Sequence, residues 1–251
     1  MVKTMNTYNP DLQLVKELSL PNCRELGGMP LAGGKTFKSG LFLRASSPHR
    51  LDNEGITKLK EYGIKSVLDL RGEQEILKSG NPFMNDPDVN FYNVRLLNGD
   101  PNDTKDATMQ FLRTHILGDY YIIIAEEMGN LLVDIMRILL NSDGQLMFHC
   151  AHGKDRTGVV AALLYLICGA SRENVILNYK MSYPYLKTFI DPYIEKMPDD
   201  LKHSLRSDEE NMVKFLAYLD EKWDGDPAKL LIANGLTENE ISRLREKCIG
   251  D

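Results

Sequence analysis

Gln145-Leu-Met-Phe-His149-Cys150-Ala151-His152-Gly153-Lys154-Asp155-Arg156-Thr157-Gly158 decides the fold. Its first five residues form an apolar run short enough for a buried strand, Gln145 to His149. After Gly158 the chain stays apolar to Cys168 and stops at Gly169, which predicts a helix over Thr157 to Cys168. A strand, a glycine-containing loop and a helix N-terminus in succession form the arrangement that binds phosphate groups.

Further αβ punctuation lies upstream. Asp52 can cap a helix over Asn53 to Tyr62 that ends at Gly63, and Ile64 to Leu70 then reads as a buried strand. Leu41 to Leu43 and Val89 to Val94 read as two more strands, and Asn98 to Asp106 as a polar loop. A long apolar helix is expected over about Asp119 to Leu140; with Glu126, Glu127, Asp134 and Arg137 inside it, it would not cross a bilayer. The last eighty residues are expected to be helical. Capping boxes are expected at Ser207 to Glu210 and Thr237 to Glu240, and a cap at Asp226 before Pro227. With no repeat or linker, residues 1–251 read as one α/β domain: a mainly parallel sheet flanked by helices, with a helical C-terminal extension from about residue 170. Ligands in such sheets gather beyond the carboxyl ends of the strands. Asp69 to Arg71, the Asn98 to Asp106 loop and His149 to Arg156 should therefore share one edge.

Composition narrows the function classes. Lys and Arg total 30 against 36 Asp and Glu, a net charge of -6 that argues against non-specific nucleic-acid binding. Hydrophobic residues make up 43% and charged residues 26%, values of an ordinary globular chain. Cys23, Cys150, Cys168 and Cys248 form no CxxC pair, which suits a reducing compartment. The opening MVKTMNTYNP has no apolar signal-peptide core. The expectation is a cytoplasmic protein without a transmembrane segment.

The chemistry concentrates in the quoted loop. A cysteine at a helix N-terminus near positive charge favours the thiolate, a nucleophile. Between Cys150 and Arg156 successive N–H groups can curl into an anion nest, Gly153 permits a positive φ, and the Arg156 guanidinium can hold two oxygens of a phosphoryl group. The phosphate-binding set is then Ala151, His152, Gly153, Lys154, Asp155 and Arg156. Thr157 can offer its hydroxyl to the thiolate, and His149 orients the loop rather than acting as a base. His149, Cys150 and His152 lack the fourth ligand of a zinc site, so no metal is assigned. Asp69, Arg71 and Arg44 are supporting residues, readable either as structural ion pairs or as substrate contacts.

The HCxxGKDRTG stretch resembles the signature loop of the cysteine-dependent protein tyrosine phosphatase superfamily. Asn22, Arg24 and Gly27-Gly28 in NxRxLGG, Gly40 to Ser46, and Leu68 to Arg71 narrow the resemblance to bacterial atypical tyrosine phosphatases that also accept lipid phosphates. The resemblance implies that Cys150 attacks phosphorus, Arg156 and the loop amides hold the equatorial oxygens, and a cysteinyl-phosphate forms and hydrolyses without metal or organic cofactor. It implies a phosphorylated protein or lipid head group as substrate and inorganic phosphate as product. Asp155 is favoured as general acid over Asp100, with Asp103 and Asp106 behind them. Lys154 resembles a lysine of inositol-lipid phosphatases, and Arg44, Arg71 and Arg95 could widen a basic patch for such a head group. Glu25 and Ser46 to Arg50 depart from the family pattern. The rival readings are a phosphate-binding module without turnover and a cysteine-dependent sulfurtransferase.

Overall fold

The computed structural model describes residues 8–96 and 103–250. In chain order the elements are β1 (Arg24–Glu25), β2 (Thr36–Phe37), β3 (Phe42–Ala45), α1 (Asn53–Glu61), β4 (Ile64–Asp69), α2 (Glu73–Ser79) and β5 (Asn90–Asn93). Then follow α3 (Ala107–Phe111), α4 (Leu117–Glu127), α5 (Gly129–Asn141), β6 (Gln145–His149) and α6 (Arg156–Ile167). The chain finishes with α7 (Arg172–Lys180), α8 (Ser182–Ile194), α9 (Glu209–Trp223), α10 (Pro227–Ala233), α11 (Glu238–Cys248) and β7 (Ile249–Gly250).

The main sheet has the order β1-β3-β6-β4-β5. Its last four strands are mutually parallel and β1 adds an antiparallel edge. Parallel strands demand cover on both faces, which explains why β6 is buried along its whole length. Side chains alternate accordingly. Leu43, Ala45, Val67 and Met147 join Leu59 and Phe83 in one apolar cluster, while Phe42, Leu68, Leu146 and Phe148 join the larger cluster under α4 to α6 and α9 to α11. Helix α6 is the central pillar: apart from half-buried Leu166, each of its residues is buried. A second small sheet, β2 with β7, ties the end of α11 to the early part of the chain.

Local signals act as expected at several ends. The Asp52 side chain accepts from Gly55 N, Asp226 accepts from Ala228 N, and the Thr237–Glu240 capping box forms. Two expectations need correction. The long helix is broken at Met128, whose backbone leaves the helical region, into α4 and α5; the next residue is Gly129, where a Cβ would meet the Asn234 side chain at 2.3 Å. Ser207 does not cap α9: its hydroxyl accepts from Tyr183 N in the first turn of α8 and donates to Lys180 O, and Asp208 precedes α9 instead.

Register places the carboxyl ends of the parallel strands side by side, with Ala45 opposite His149, His149 opposite Asp69, and Asp69 opposite Asn93. The loops that leave these four residues converge on one edge of the sheet. No helix among the described residues is long and apolar enough to cross a membrane.

Candidate active site

The loop between β6 and α6 is held from outside by its carbonyls. His149 Nδ1 lies 3.0 Å from Cys150 O; a carbonyl only accepts, so Nδ1 carries the proton. Ser47 N donates to Ala151 O, Asn22 Nδ2 donates to His152 O and Gly153 O, and Arg44 Nη2 donates to Gly153 O. With the oxygens turned outward, the N–H groups of residues 151–155 are left with no protein acceptor among the described residues. The result is a run of free donors directly after Cys150, the composition of an anion nest. Gly153 makes the curl feasible: its φ is +63°, and a Cβ there would lie 2.3 Å from Ala45 O. Thr157 Oγ1 is buried without a partner in the first turn of α6.

Arg156 is clamped by a residue that motif reading missed. Its Nη1 and Nη2 donate to Glu75 Oε2 and Oε1 at 2.5 and 2.9 Å, a bidentate and nearly buried pair. Burial works against the Arg156 charge, but the adjacent Glu75 carboxylate overrides it and holds the guanidinium protonated. Glu75 also accepts from Gly72 N in the first turn of α2. An acid three residues into a helix that follows strand β4 was a readable signal.

Beneath the loop, Asp69 accepts from Arg71 N, Nε and Nη2 and from Asn81 Nδ2. Asn81 Nδ2 also donates to His149 Nε2, completing a buried chain to the Cys150 carbonyl. Burial opposes ionisation of Asp69, yet His149, Arg71 and Asn81 together hold it down to about 2. Burial likewise pushes His149 below its ordinary value, against the opposing pull of the Asp69 carboxylate. Arg71 also donates from Nη1 to Ser79 Oγ and from Nη2 to Gly80 O.

The cations expected around a head group are otherwise employed. Lys154 is fully buried, its Nζ donating to Ser204 O and Arg206 O and lying 3.0 Å from Asp155 Oδ1. Its ammonium therefore ties the loop to the 3-10 turn Asp199–Leu205, and only its backbone N–H remains in the nest. Arg44 is buried behind the loop and exposed Arg95 pairs with Glu73. Cations that border the cavity are Arg50 and Lys78, together with Arg71 and Arg156.

Asp155 borders the same cavity. Its Oδ1 accepts from Tyr121 Oη at 2.6 Å as well as facing Lys154. Half-buried His152 lies beside it, pushed down to about 4 by burial and by Lys154. Asp100 lies outside the described residues. Asp106 caps α3 through Thr108 N and Asp103 accepts from Lys105 N, which gives both local structural roles. Of the aromatic side chains, Tyr120, Phe189 and Tyr193 line the mouth, whereas Tyr179, Tyr183 and Tyr185 do not. The cavity has a volume of about 650 Å³ and an apolar wall that includes Leu51, Met109, Leu112 and Ile190. Among the described residues no group of three His, Cys, Asp or Glu side chains could hold a metal ion.

Comparison with known proteins places this geometry in context. Residues 16–250 match the family described as "Tyrosine phosphatase family". A tyrosine-protein phosphatase of Nostoc commune is 26% identical over 159 residues, covering 63% of this chain and 53% of that protein. The triple specificity protein phosphatase PtpB of Mycobacterium tuberculosis is 25% identical over 191 residues, covering 65% of this chain and 69% of its own. The chain thus spans only about half the length of the Nostoc relative. Among solved structures, TpbA of P. aeruginosa aligns with 80% of this chain and 91% of its own at 14% identity and a TM-score of 0.42.

Proposed function

The chain belongs to the tyrosine phosphatase family, and from that premise we propose that it hydrolyses phosphate monoesters through a cysteinyl-phosphate at Cys150. The observation that carries the reading is the nest of unpartnered N–H groups of residues 151–155, closed at its far end by the clamped Arg156 guanidinium. Such a cup is complementary to the equatorial oxygens of a transferring phosphoryl group and needs no rearrangement to receive them.

In this mechanism the Cys150 thiolate attacks phosphorus, the S–P bond forms and the P–O bond to the leaving group breaks. Asp155 gives its proton to the leaving oxygen. Water then attacks the cysteinyl-phosphate, its proton passes to the Asp155 carboxylate, the S–P bond breaks, and inorganic phosphate leaves with the thiolate regenerated. Thr157 stabilises the thiolate as it departs. The helices after residue 170 act in the same catalytic unit, since Lys154 is anchored on their side of the cavity.

The preferred substrate class is a phosphotyrosine protein or peptide, whose ring would lie against Tyr120, Phe189 and Tyr193 at the mouth. Phosphoserine, phosphothreonine and phosphoinositide head groups are secondary substrates in this reading, and Arg50 and Lys78 are the rim cations for any extra phosphate. The four free cysteines suit a reducing, cytoplasmic setting.

The test is phosphate release from an aryl phosphate in excess chelator by the wild type and by Cys150→Ser. Turnover that survives the chelator and disappears in the variant supports the reading. Equal turnover in both proteins, or none in the wild type, overturns it, and the second outcome favours a binding module or a sulfurtransferase.

A further inference from the structure

Behind the loop lies a charge arrangement that stability alone does not explain. Arg24 on β1 and Arg44 on β3 are directly opposed across the strand pair, and both are essentially inaccessible to solvent. Like charges in that position repel, and a buried charge without a counter-ion is costly. Yet neither has a carboxylate partner among the described residues. Arg24 donates to Asn178 O and Ser182 Oγ and lies over the Tyr185 ring. Arg44 donates to Asn178 Oδ1 and to the carbonyls of Gly153 and, at 3.5 Å, Lys154. The Nε of each is buried with no acceptor.

The two carbonyls on Arg44 matter because of what their peptide groups present on the other side. The Gly153 carbonyl shares a peptide unit with the Lys154 N–H, and the Lys154 carbonyl shares one with the Asp155 N–H. A cation on the oxygen of a peptide group polarises it and strengthens its N–H as a donor. Both N–H groups belong to the nest that lacks protein acceptors. We infer that Arg44, backed by Arg24, is a positioning residue whose buried charge is the counter-ion of the anion held in the Cys150 loop, transmitted through the Gly153–Lys154 and Lys154–Asp155 peptide units. Burial and then the neighbouring Arg24 push Arg44 down to about 9, while Cys150 is among the few groups that support its charge. This inference rests on the proposal that the loop binds a phosphoryl group, and its test separates the two.

Binding of inorganic phosphate is measured by titration calorimetry at constant ionic strength for the wild type, Arg44→Met, Arg44→Lys, Arg24→Met and Arg156→Met, alongside the phosphate-induced rise in thermal midpoint. Removing a unit charge from a site of this kind should weaken phosphate binding by about tenfold or more in Arg44→Met. The phosphate-induced rise should shrink in parallel, and Arg44→Lys should recover at least half of the lost affinity. Arg24→Met, one layer further back, should lose about threefold. A purely structural role would lower the midpoint equally with and without phosphate and leave affinity within twofold, and that result overturns the inference. If Arg44→Met does not fold, Arg24→Met and Arg44→Lys decide: unchanged affinity in the former, or complete loss in the latter, also overturns it. If the wild type binds phosphate, Arg156→Met does not, and Arg44→Met matches the wild type, only this inference falls. Absence of binding in the wild type removes the loop reading and this inference together.

Discussion

At the scale of single residues, the site depends on who holds Arg156. The Glu75 carboxylate engages both Nη atoms and Nη1 also donates to Leu70 O, so the guanidinium arrives at the loop in one orientation with Nε and the second Nη2 N–H left for an anion. Glu75→Gln keeps the shape and removes the charge. The expected result is a loss of between about ten- and a hundredfold in kcat/KM, with an unchanged circular dichroism spectrum; kcat/KM within twofold of the wild type would refute the clamp. Glu75→Ala should in addition destabilise the fold by about 3–5 kcal/mol, the cost of leaving a buried charge unpaired, as read by urea denaturation. The strand–loop–helix setting of Cys150 and Arg156 and the positive φ of Gly153 were legible in the sequence because they are local features, contained within a few residues of chain. The direction of Lys154 was not legible, since its partners Ser204 and Arg206 lie fifty residues further on.

At the scale of elements, the strand–loop–helix unit around Cys150 is locally encoded, while what fixes it comes from elsewhere. Asn22, Arg44 and Ser47 reach the loop carbonyls from the first fifth of the chain, and Lys154 reaches the Asp199–Leu205 turn. Hydrophobic periodicity reveals an element's type but carries no address for its side-chain donors. The α4–α5 break at Met128 likewise left no mark in the apolar pattern, and the Asn234 side chain that leaves no room for a Cβ at Gly129 comes from about a hundred residues further on. Lys154→Gln tests the tie between loop and turn. It should lower stability by about 1–3 kcal/mol and speed proteolysis within residues 199–206, and phosphate affinity should suffer less than in Glu75→Gln. A large affinity loss without a stability change would return Lys154 to the role of a substrate cation.

For the whole molecule, the strand order β1-β3-β6-β4-β5 brings four carboxyl ends to one edge, and the buried Asp69 network stitches two of them together. Its pH dependence follows from the direction of the shift. Burial opposes the Asp69 charge but His149, Arg71 and Asn81 outweigh it, so the folded protein keeps this carboxyl ionised down to about 2. An unfolded chain protonates the same group at about 3.9, so the stabilisation is complete above about pH 5 and is lost as pH falls through the folded value; its size is about 2.5 kcal/mol. Urea midpoints between pH 6 and pH 2.5 should therefore fall more steeply for the wild type than for Asp69→Asn, and parallel curves would contradict the network. The sheet architecture and the shared edge were readable from alternation and turn residues. The antiparallel β1 edge and the β2–β7 closure were not, because two-residue strands leave no periodic trace.

The central claim is that a phosphoryl group passes through the sulfur of Cys150. The direct measurement is rapid acid quench of Asp155→Asn during turnover of an aryl phosphate with a good leaving group, followed by mass spectrometry of the peptide that contains Cys150. With the leaving group needing little protonation and the second step deprived of its base, one phosphoryl group should accumulate on Cys150 and vanish in the Asp155→Asn/Cys150→Ser double variant. A peptide that stays unmodified while phosphate is still released, or a phosphoryl group found on another residue, would contradict the account.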